Sequence, residues 1–319
     1  MRILFAGTPE LAVPSLEALV GAAHQVGVLT NPDSALGRSS KPEPSNVKKR
    51  AMALGLEVFT PEKLDKDFRS LIEGRFDLLV SFAFGRIFGP QFLGLFPLGG
   101  LNVHPSLLPR WRGSSPLSAA ILALDAKTGI CVQTLAPKMD EGDIVARLEH
   151  PLDGSETTET LSAWAAGAAP ELLVSAVEVW CGGRCVPEPQ RGEPSYCGLI
   201  KKEDGRLNWS QPARNLDARV RAFDPWPGAF SFWKGQVLMV KKSRWLNSEG
   251  TPFSAKTAAE EAPTGQIVAL DKSEGILVQT GEGLLALREL QLAGRKPLDF
   301  RSFVNGARDF VGSRLGEEI

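Results

Sequence analysis

Residues 1–30 read MRILFAGTPELAVPSLEALVGAAHQVGVLT. Residues 2–6 are a short run of strand formers that stops at Gly7-Thr8-Pro9. Leu11, Ser15, Leu16, Leu19 and Val20 then recur at helical spacing, and residues 25–30 return to an apolar run. Strand, helix, strand in this span is a βαβ unit, and it predicts a parallel sheet covered by helices. The alternation continues outward, with helices expected over 47–54, 68–73, 113–124 and 158–180. Strands are expected over 57–59, 76–82, 100–103 and 129–135, with an edge strand at 144–149. Pro187, Pro189, Arg191, Gly192 and Pro194 mark a linker. Short apolar runs follow at 229–233, 237–241, 264–269, 275–279 and 284–290, which predict a small β barrel or sandwich with 249–263 inserted between strands. The fold class is therefore α/β to about residue 203, followed by a β domain.

The chain has 319 residues, enough for two domains with real cores. Apolar residues at 43 % and charged residues at 23 % exclude gross disorder. A net charge of −1 argues against a wholly basic coat protein, although local basic patches remain open. The N-terminus lacks a cleavable signal pattern, and no run of about 18 uninterrupted apolar residues predicts a membrane span. Cys131, Cys181, Cys185 and Cys197 read as reduced thiols, and the C-x-x-x-C of 181–185 has no histidine near it to suggest zinc. Gly7-Thr8-Pro9 occupies the place of a dinucleotide-binding turn, yet neither the G-x-G-x-x-G fingerprint nor a phosphate-binding P-loop is present.

The densest chemistry lies in Leu101-Asn102-Val103-His104-Pro105-Ser106-Leu107-Leu108-Pro109-Arg110-Trp111-Arg112-Gly113. Asn102 and His104 are two apart on a strand, so both point to one face, at the end where open α/β sheets bind ligands. Met139-Asp140-Glu141-Gly142-Asp143 is a tight acidic turn, and Asp143, just before the edge strand, is expected as the partner of His104. Asn, His and Asp supply an oxyanion donor, a proton-handling group and an acid/base partner. Ser106 lacks a G-x-S-x-G elbow, which favours direct group transfer over a covalent acyl-enzyme.

Residues 102–109 together with the D-x-G-D of 140–143 resemble the folate-dependent formyltransferases. Ile3-Leu4-Phe5-Ala6-Gly7-Thr8-Pro9, Arg110-Trp111-Arg112-Gly113 and Arg221-Ala222-Phe223-Asp224-Pro225-Trp226-Pro227-Gly228 resemble the branch that acts on methionyl-tRNA. The resemblance implies a Rossmann-like formyltransferase domain over 1–203 and an OB-like β-barrel domain over 204–319. It implies formyl transfer from 10-formyltetrahydrofolate to the methionine amine of initiator tRNA, in a cytoplasmic monomer without a metal. Asn102 and His104 would stabilise the oxyanion, and Asp143 would hold His104 and move protons. Phe84, Arg86, Ile87, Ser106, Leu107, Leu108, Pro109 and Asp140 would line the folate site. Arg38, Lys41, Lys48 and Lys49 would meet the tRNA. The chain departs from the family in carrying Phe84 in place of the usual Tyr, an Arg86 closer to the glycinamide branch, and Ser39-Ser40 in place of part of a basic run.

Residues 201–256 hold eleven basic and five acidic side chains, interleaved with Trp209, Trp226, Trp233 and Trp245. Basic charge beside aromatic rings suits phosphate contact and base stacking. Trp226 is expected in the core. Other readings are formyl transfer to a sugar-nucleotide amine, hydrolysis of the formyl donor, a non-catalytic tRNA-binding module, and a nicotinamide oxidoreductase. The basic β domain disfavours the first two, the intact Asn102/His104/Asp143 set the third, and the missing glycine fingerprint the fourth.

Overall fold

A computed structural model describes residues 1–35, 41–247 and 262–316. The chain divides into two compact units, one of Met1–Leu117, Lys127–Pro151 and Thr160–Gly198, the other of Ser118–Ala126, Leu152–Glu159 and Leu199–Ile319. In chain order the elements are β1 (Arg2–Gly7), α1 (Val13–Gly21), β2 (Gln25–Leu29), the short pair β3 (Ser34–Ala35) and β4 (Pro42–Glu43), α2 (Asn46–Ala53), β5 (Val58–Phe59) and α3 (Lys66–Ile72). Then come β6 (Leu78–Phe82), α4 (Pro90–Leu93), β7 (Gly100–His104), β8 (Arg112–Gly113), α5 (Pro116–Leu122), β9 (Lys127–Thr134), β10 (Ile144–Pro151), α6 (Thr158–Cys181) and β11 (Tyr196–Cys197).

Seven strands form one sheet in the order β10-β9-β7-β6-β1-β2-β5. Strands β7, β6, β1, β2 and β5 are mutually parallel, while β9 runs antiparallel to β7 and β10. The expected parallel sheet is present, and the one strand that runs against it, β9, lies next to an edge; an apolar pattern identifies a strand without giving its direction. The sheet is covered on both faces. Ile3 and Phe5 of β1 enter one buried cluster with α1 and α6 residues, and Leu4 and Ala6 enter another with Phe68, Ile72 and Phe92. This alternation is what a strand buried on both sides requires.

Among the described residues, α6 is the one helix long and apolar enough to cross a membrane. Its Leu161, Ala165, Ala169, Leu173, Ala176 and Val177 form a stripe at helical spacing that packs into the first cluster, so its apolar character is that of a core helix. The helix expected over 113–124 is shortened to α5, because Arg112–Gly113 pairs in parallel with β11. A Cβ on Gly113, whose φ is +116°, would lie 2.0 Å from the Cys197 carbonyl oxygen, so only glycine permits this approach.

The second unit contains α7 (Ala213–Ala222), β12 (Ala229–Trp233), β13 (Gln236–Leu246), β14 (Ile267–Asp271), β15 (Gly275–Gln279), β16 (Leu284–Leu292), β17 (Leu298–Asp299) and α8 (Phe300–Gly306). Its antiparallel sheet runs β12-β13-β16-β15-β14, with β17 also on β16. Register shifts at Lys242 bend β13, as β-bulges do. Most of the expected insertion, residues 249–261, lies outside the described residues.

Trp209 and Trp233 are core residues whose indole N–H groups donate to Ser231 and Ser313, each at 2.9 Å. Trp226 is 59 % exposed and Trp245 39 % exposed, which corrects the expectation for Trp226. In the run 223–228 the buried aromatic is Phe223, and the turn carries Trp226 outward. The basic excess is also partly spent within the unit. Arg221 pairs with Asp217, Lys241 with Asp224, Lys242 with Glu289, Lys234 with Asp309 and Arg244 with Glu274.

Candidate active site

Leu101 and Val103 of β7 point into the first cluster, so Asn102 and His104 share the opposite face. On the neighbouring strand Ile130 and Val132 enter the same cluster, which places Cys131 and Gln133 beside that pair. The register sets Gln133 opposite Asn102 and Cys131 opposite His104. Two strands thus present four side chains on the face opposite the first cluster.

His104 is buried, and its Nε2 lies 2.8 Å from the Trp111 carbonyl oxygen. A carbonyl can only accept, so Nε2 carries the proton and Nδ1 is the exchangeable position. Nδ1 faces Asp140 Oδ2 at 3.6 Å. The Asp140 carboxylate is fixed on its other sides by neutral donors. The Gly113 N–H reaches Oδ2 at 2.8 Å, and Gln133 Nε2 and Asn102 Nδ2 reach Oδ1 at 2.9 and 3.4 Å.

This arrangement corrects the assignment of the acid: Asp140, not Asp143, meets His104. The reason lies in the backbone. Asp140 has φ +54°, which turns its side chain over the sheet face. A Cβ on Gly142 would lie 1.7 Å from the Thr134 carbonyl oxygen, so the turn is pressed against β9. Asp143 instead bonds Thr134 through its own backbone, its N–H donating to the Thr134 hydroxyl Oγ1 at 2.9 Å and its carbonyl accepting the Thr134 N–H at 2.9 Å.

The stretch expected to be a plain linker forms a wall of this site. Glu188 exchanges backbone bonds with Ile144. Gln190 donates to the carbonyls of Asp140 and Gly142, at 2.8 and 2.7 Å. Ser195 Oγ accepts the Trp111 N–H at 3.0 Å, where Trp111 has φ +60°. Gln133 and Gln190 escaped the sequence reading. The first was detectable as the polar residue alternating with Ile130 and Val132, whereas the second was hidden among prolines that read as a connector.

The residues assigned to folate separate into groups. Phe84 is buried and stacks on Phe88, with ring centroids 5.3 Å apart. Arg86 donates to the Pro61 and Glu62 carbonyls at 2.9 and 3.0 Å. Ser106 is fully buried with its hydroxyl on the Arg110 carbonyl at 2.6 Å, and Leu108 packs with Cys131 and Ile144. Leu107 lies over Gly129, and the Pro109 carbonyl accepts the Ser195 N–H at 3.2 Å. Internal packing occupies the side chains of Phe84, Ser106 and Leu108, which leaves their backbone groups as the part that the expected folate contact would use. Ile87, at 72 % exposure, and the exposed Ala83 and Gly85 beside it remain accessible, as does the edge of Asp140.

Of the residues assigned to tRNA, Arg38 lies outside the described residues. Lys41 is exposed, Lys48 pairs with Asp33 at 2.7 Å, and Lys49 with Glu43 at 3.4 Å. Ser45 caps α2 by accepting the Lys48 N–H at 3.0 Å, which holds both lysines in the first turn of the helix.

Residues 1–177 match the formyl transferase family, and residues 199–308 match the formyl transferase C-terminal domain. Methionyl-tRNA formyltransferase of Treponema denticola is 42 % identical over 321 residues, covering 98 % of each chain. That of Treponema pallidum is 43 % identical over 326 residues, covering 99 % of each. Among solved structures, WlaRD, a sugar 3N-formyl transferase crystallised with dTDP and 5-N-formyl-THF, aligns with TM-score 0.66 at 16 % identity, over 93 % of this chain and 99 % of that one. HypX of Aquifex aeolicus in complex with tetrahydrofolic acid aligns with TM-score 0.63 at 18 % identity, over 98 % of this chain and 48 % of that one. At such identities these two share the fold. The match to both family domains, and to full-length relatives above 40 % identity, places the chain in the methionyl-tRNA formyltransferase family.

Proposed function

We propose that the protein transfers the formyl group of 10-formyltetrahydrofolate to the α-amino group of methionine on initiator methionyl-tRNA. The observation that carries the reading is the convergence of Asn102, His104 and a four-sided Asp140 on one face of the sheet. When bound, the donor supplies a formyl carbon already attached to a nitrogen leaving group. Asn102 offers an amide N–H to the negative charge that develops on the formyl oxygen. His104, with its Nε2–H tied to Trp111, donates from Nδ1 to the same oxygen in its protonated form. Asp140 takes the proton lost by the attacking amine and returns it to the departing nitrogen, while His104 shares its charge. No acyl-enzyme is needed, because Ser106 is sealed inside the loop.

The donor's ring system is assigned to the surface made by the 83–87 loop and the Asp140 turn. Exposed backbone at Ala83 and Gly85, with positive φ at both, supports that place, because peptide groups there are open to a ligand. Residues 1–203 carry the chemistry, and 204–319 hold the tRNA through their basic side chains and through Trp226 and Trp245. Lys41, Lys48 and Lys49 contribute from the first unit. The protein acts as a monomer in the cytoplasm, a reducing compartment that suits its four free cysteines. The test is incubation with 10-formyltetrahydrofolate and methionyl initiator tRNA. N-formylmethionyl-tRNA is the expected product, and its absence with both substrates intact would refute the reading.

A further inference from the structure

Residues 178–198 fall between the two matched family domains, at 1–177 and 199–308. Within them Gln190 hydrogen-bonds Arg112, Gln133, Asp140 and Gly142. Arg112 has only donors, and its Nη2 and Nε reach Gln190 Oε1 at 2.7 and 3.1 Å. That fixes which way the Gln190 amide points. Its Nε2 must face acceptors, and it finds the Asp140 and Gly142 carbonyls and Gln133 Oε1, the last at 3.1 Å. Gln133 is thereby oriented in turn: with Oε1 engaged, its Nε2 points to Asp140 Oδ1 at 2.9 Å. Each donor and acceptor in Arg112–Gln190–Gln133–Asp140 follows from the one before, with no alternative amide flip. Arg112 also reaches Glu141 at 3.2 Å, so residues 140, 141 and 142 are all held from this side. Asp140 needs such holding, since φ +54° is a conformation that an L-residue keeps only where its surroundings impose it.

We propose that Gln190 is a positioning residue for formyl transfer, acting through the backbone of residues 140–142 and the amide of Gln133 to aim the Asp140 carboxylate. This rests on the reading of Asp140 as the proton-handling acid. Preorganised catalytic groups lose rate steeply when their supports loosen, while ground-state binding changes little.

The test uses the full chain with Gln190→Met, which keeps the shape without the hydrogen bonds, and Gln190→Glu, which keeps the acceptor for Arg112 but turns an acceptor toward two carbonyls. Both should lower kcat by about 10- to 100-fold, with KM for folate donor and tRNA within about 3-fold. Single-turnover rates complete a cycle with Asp140→Asn. In that background Gln190→Met should cost less than about 3-fold more, because its route to the chemistry is already cut. Wild-type kcat in Gln190→Met, a loss confined to KM, or full additivity with Asp140→Asn would overturn the proposal. A Gln190→Met chain that fails to fold would overturn it too, by making the residue a determinant of the fold. Wild-type turnover in Asp140→Asn alone would instead refute the catalytic reading, which keeps the two failures distinct.

Discussion

Asp140 and Asp217 are both nearly buried carboxylates, with side chains 11 % and 7 % exposed, and they are held in opposite ways. Asp217, on α7, is neutralised by Arg221 one helical turn away at 3.1 Å and capped by the Ser243 hydroxyl at 2.7 Å. Arg221 in turn donates to the Glu156 carbonyl at 3.0 Å. Asp140 receives its hydrogen bonds from a peptide N–H and two amides, and the ionisable group that faces it is His104. A full counter-charge ties a carboxylate into a structural ion pair. Neutral donors with an imidazole alongside fix its position and leave it facing a group that can pass protons. The difference separates a carboxylate that holds a helix from one that can work.

The sharpest way to break the comparison is to make both carboxylates neutral. Asp140→Asn preserves shape and should lower kcat by about 10³-fold or more, with little change in the thermal midpoint. Asp143→Asn should cost less than about 10-fold, since the bonds that its N–H and carbonyl make to Thr134 survive the change. A reversal of the two results would restore Asp143 as the acid. Asp217→Ala should leave turnover per folded molecule near normal while lowering stability by about 2–3 kcal/mol, because Arg221 is left partly buried without its partner. Denaturant unfolding measures that loss, and an unchanged midpoint would make Asp217 another surface ion pair.

What the sequence revealed follows the same division. Asn102 and His104 were legible because period two on a strand decides which face a side chain takes. The identity of the acid was not, because Asp140 and Asp143 lie in one short turn and the choice depends on φ at Asp140 and on the close approach of Gly142 to Thr134. Helix α7 was passed over because Leu216 and Val220 stand alone among charged neighbours, although Ala213, Ala218 and Ala222 complete its buried face. The tryptophans of the second unit show the limit of composition. Trp233 is buried with Ala229 and Ser231 by the alternation of β12, whereas the exposure of Trp226 arises on a turn, and residue type encodes neither.

That exposure gives the next expected effect. Base stacking on an aromatic ring is worth about 1–3 kcal/mol per base. Trp226→Ala should therefore weaken tRNA binding about tenfold at fixed salt, and Trp233→Ala should act through unfolding. Affinity for tRNA should fall steeply with salt, as phosphate contacts release counterions. Equal affinity of wild type and Trp226→Ala, or a flat salt response, would remove the second unit's surface from the interface.

The smallest expected effect concerns the thiol opposite His104. Burial pushes Cys131 up from an ordinary 9.0 to about 11, against minor opposing contributions from a backbone hydrogen bond and from Arg147. The folded state therefore keeps the proton that the unfolded chain releases near pH 9. Its contribution to stability is fully present below that pH and is lost as pH rises toward 11. Near pH 10 the loss should amount to about 1 kcal/mol relative to pH 8, at roughly 1.4 kcal/mol per pKa unit. Lysines titrate in the same window, so the measurement is the difference between wild type and Cys131→Ala in denaturant unfolding at the two pH values. Parallel pH dependences would mean that Cys131 ionises as a solvent-exposed thiol does. In that case the patch shared by Asn102, His104, Gln133 and Asp140 would be wetter than its packing against Leu108 and Ile144 implies.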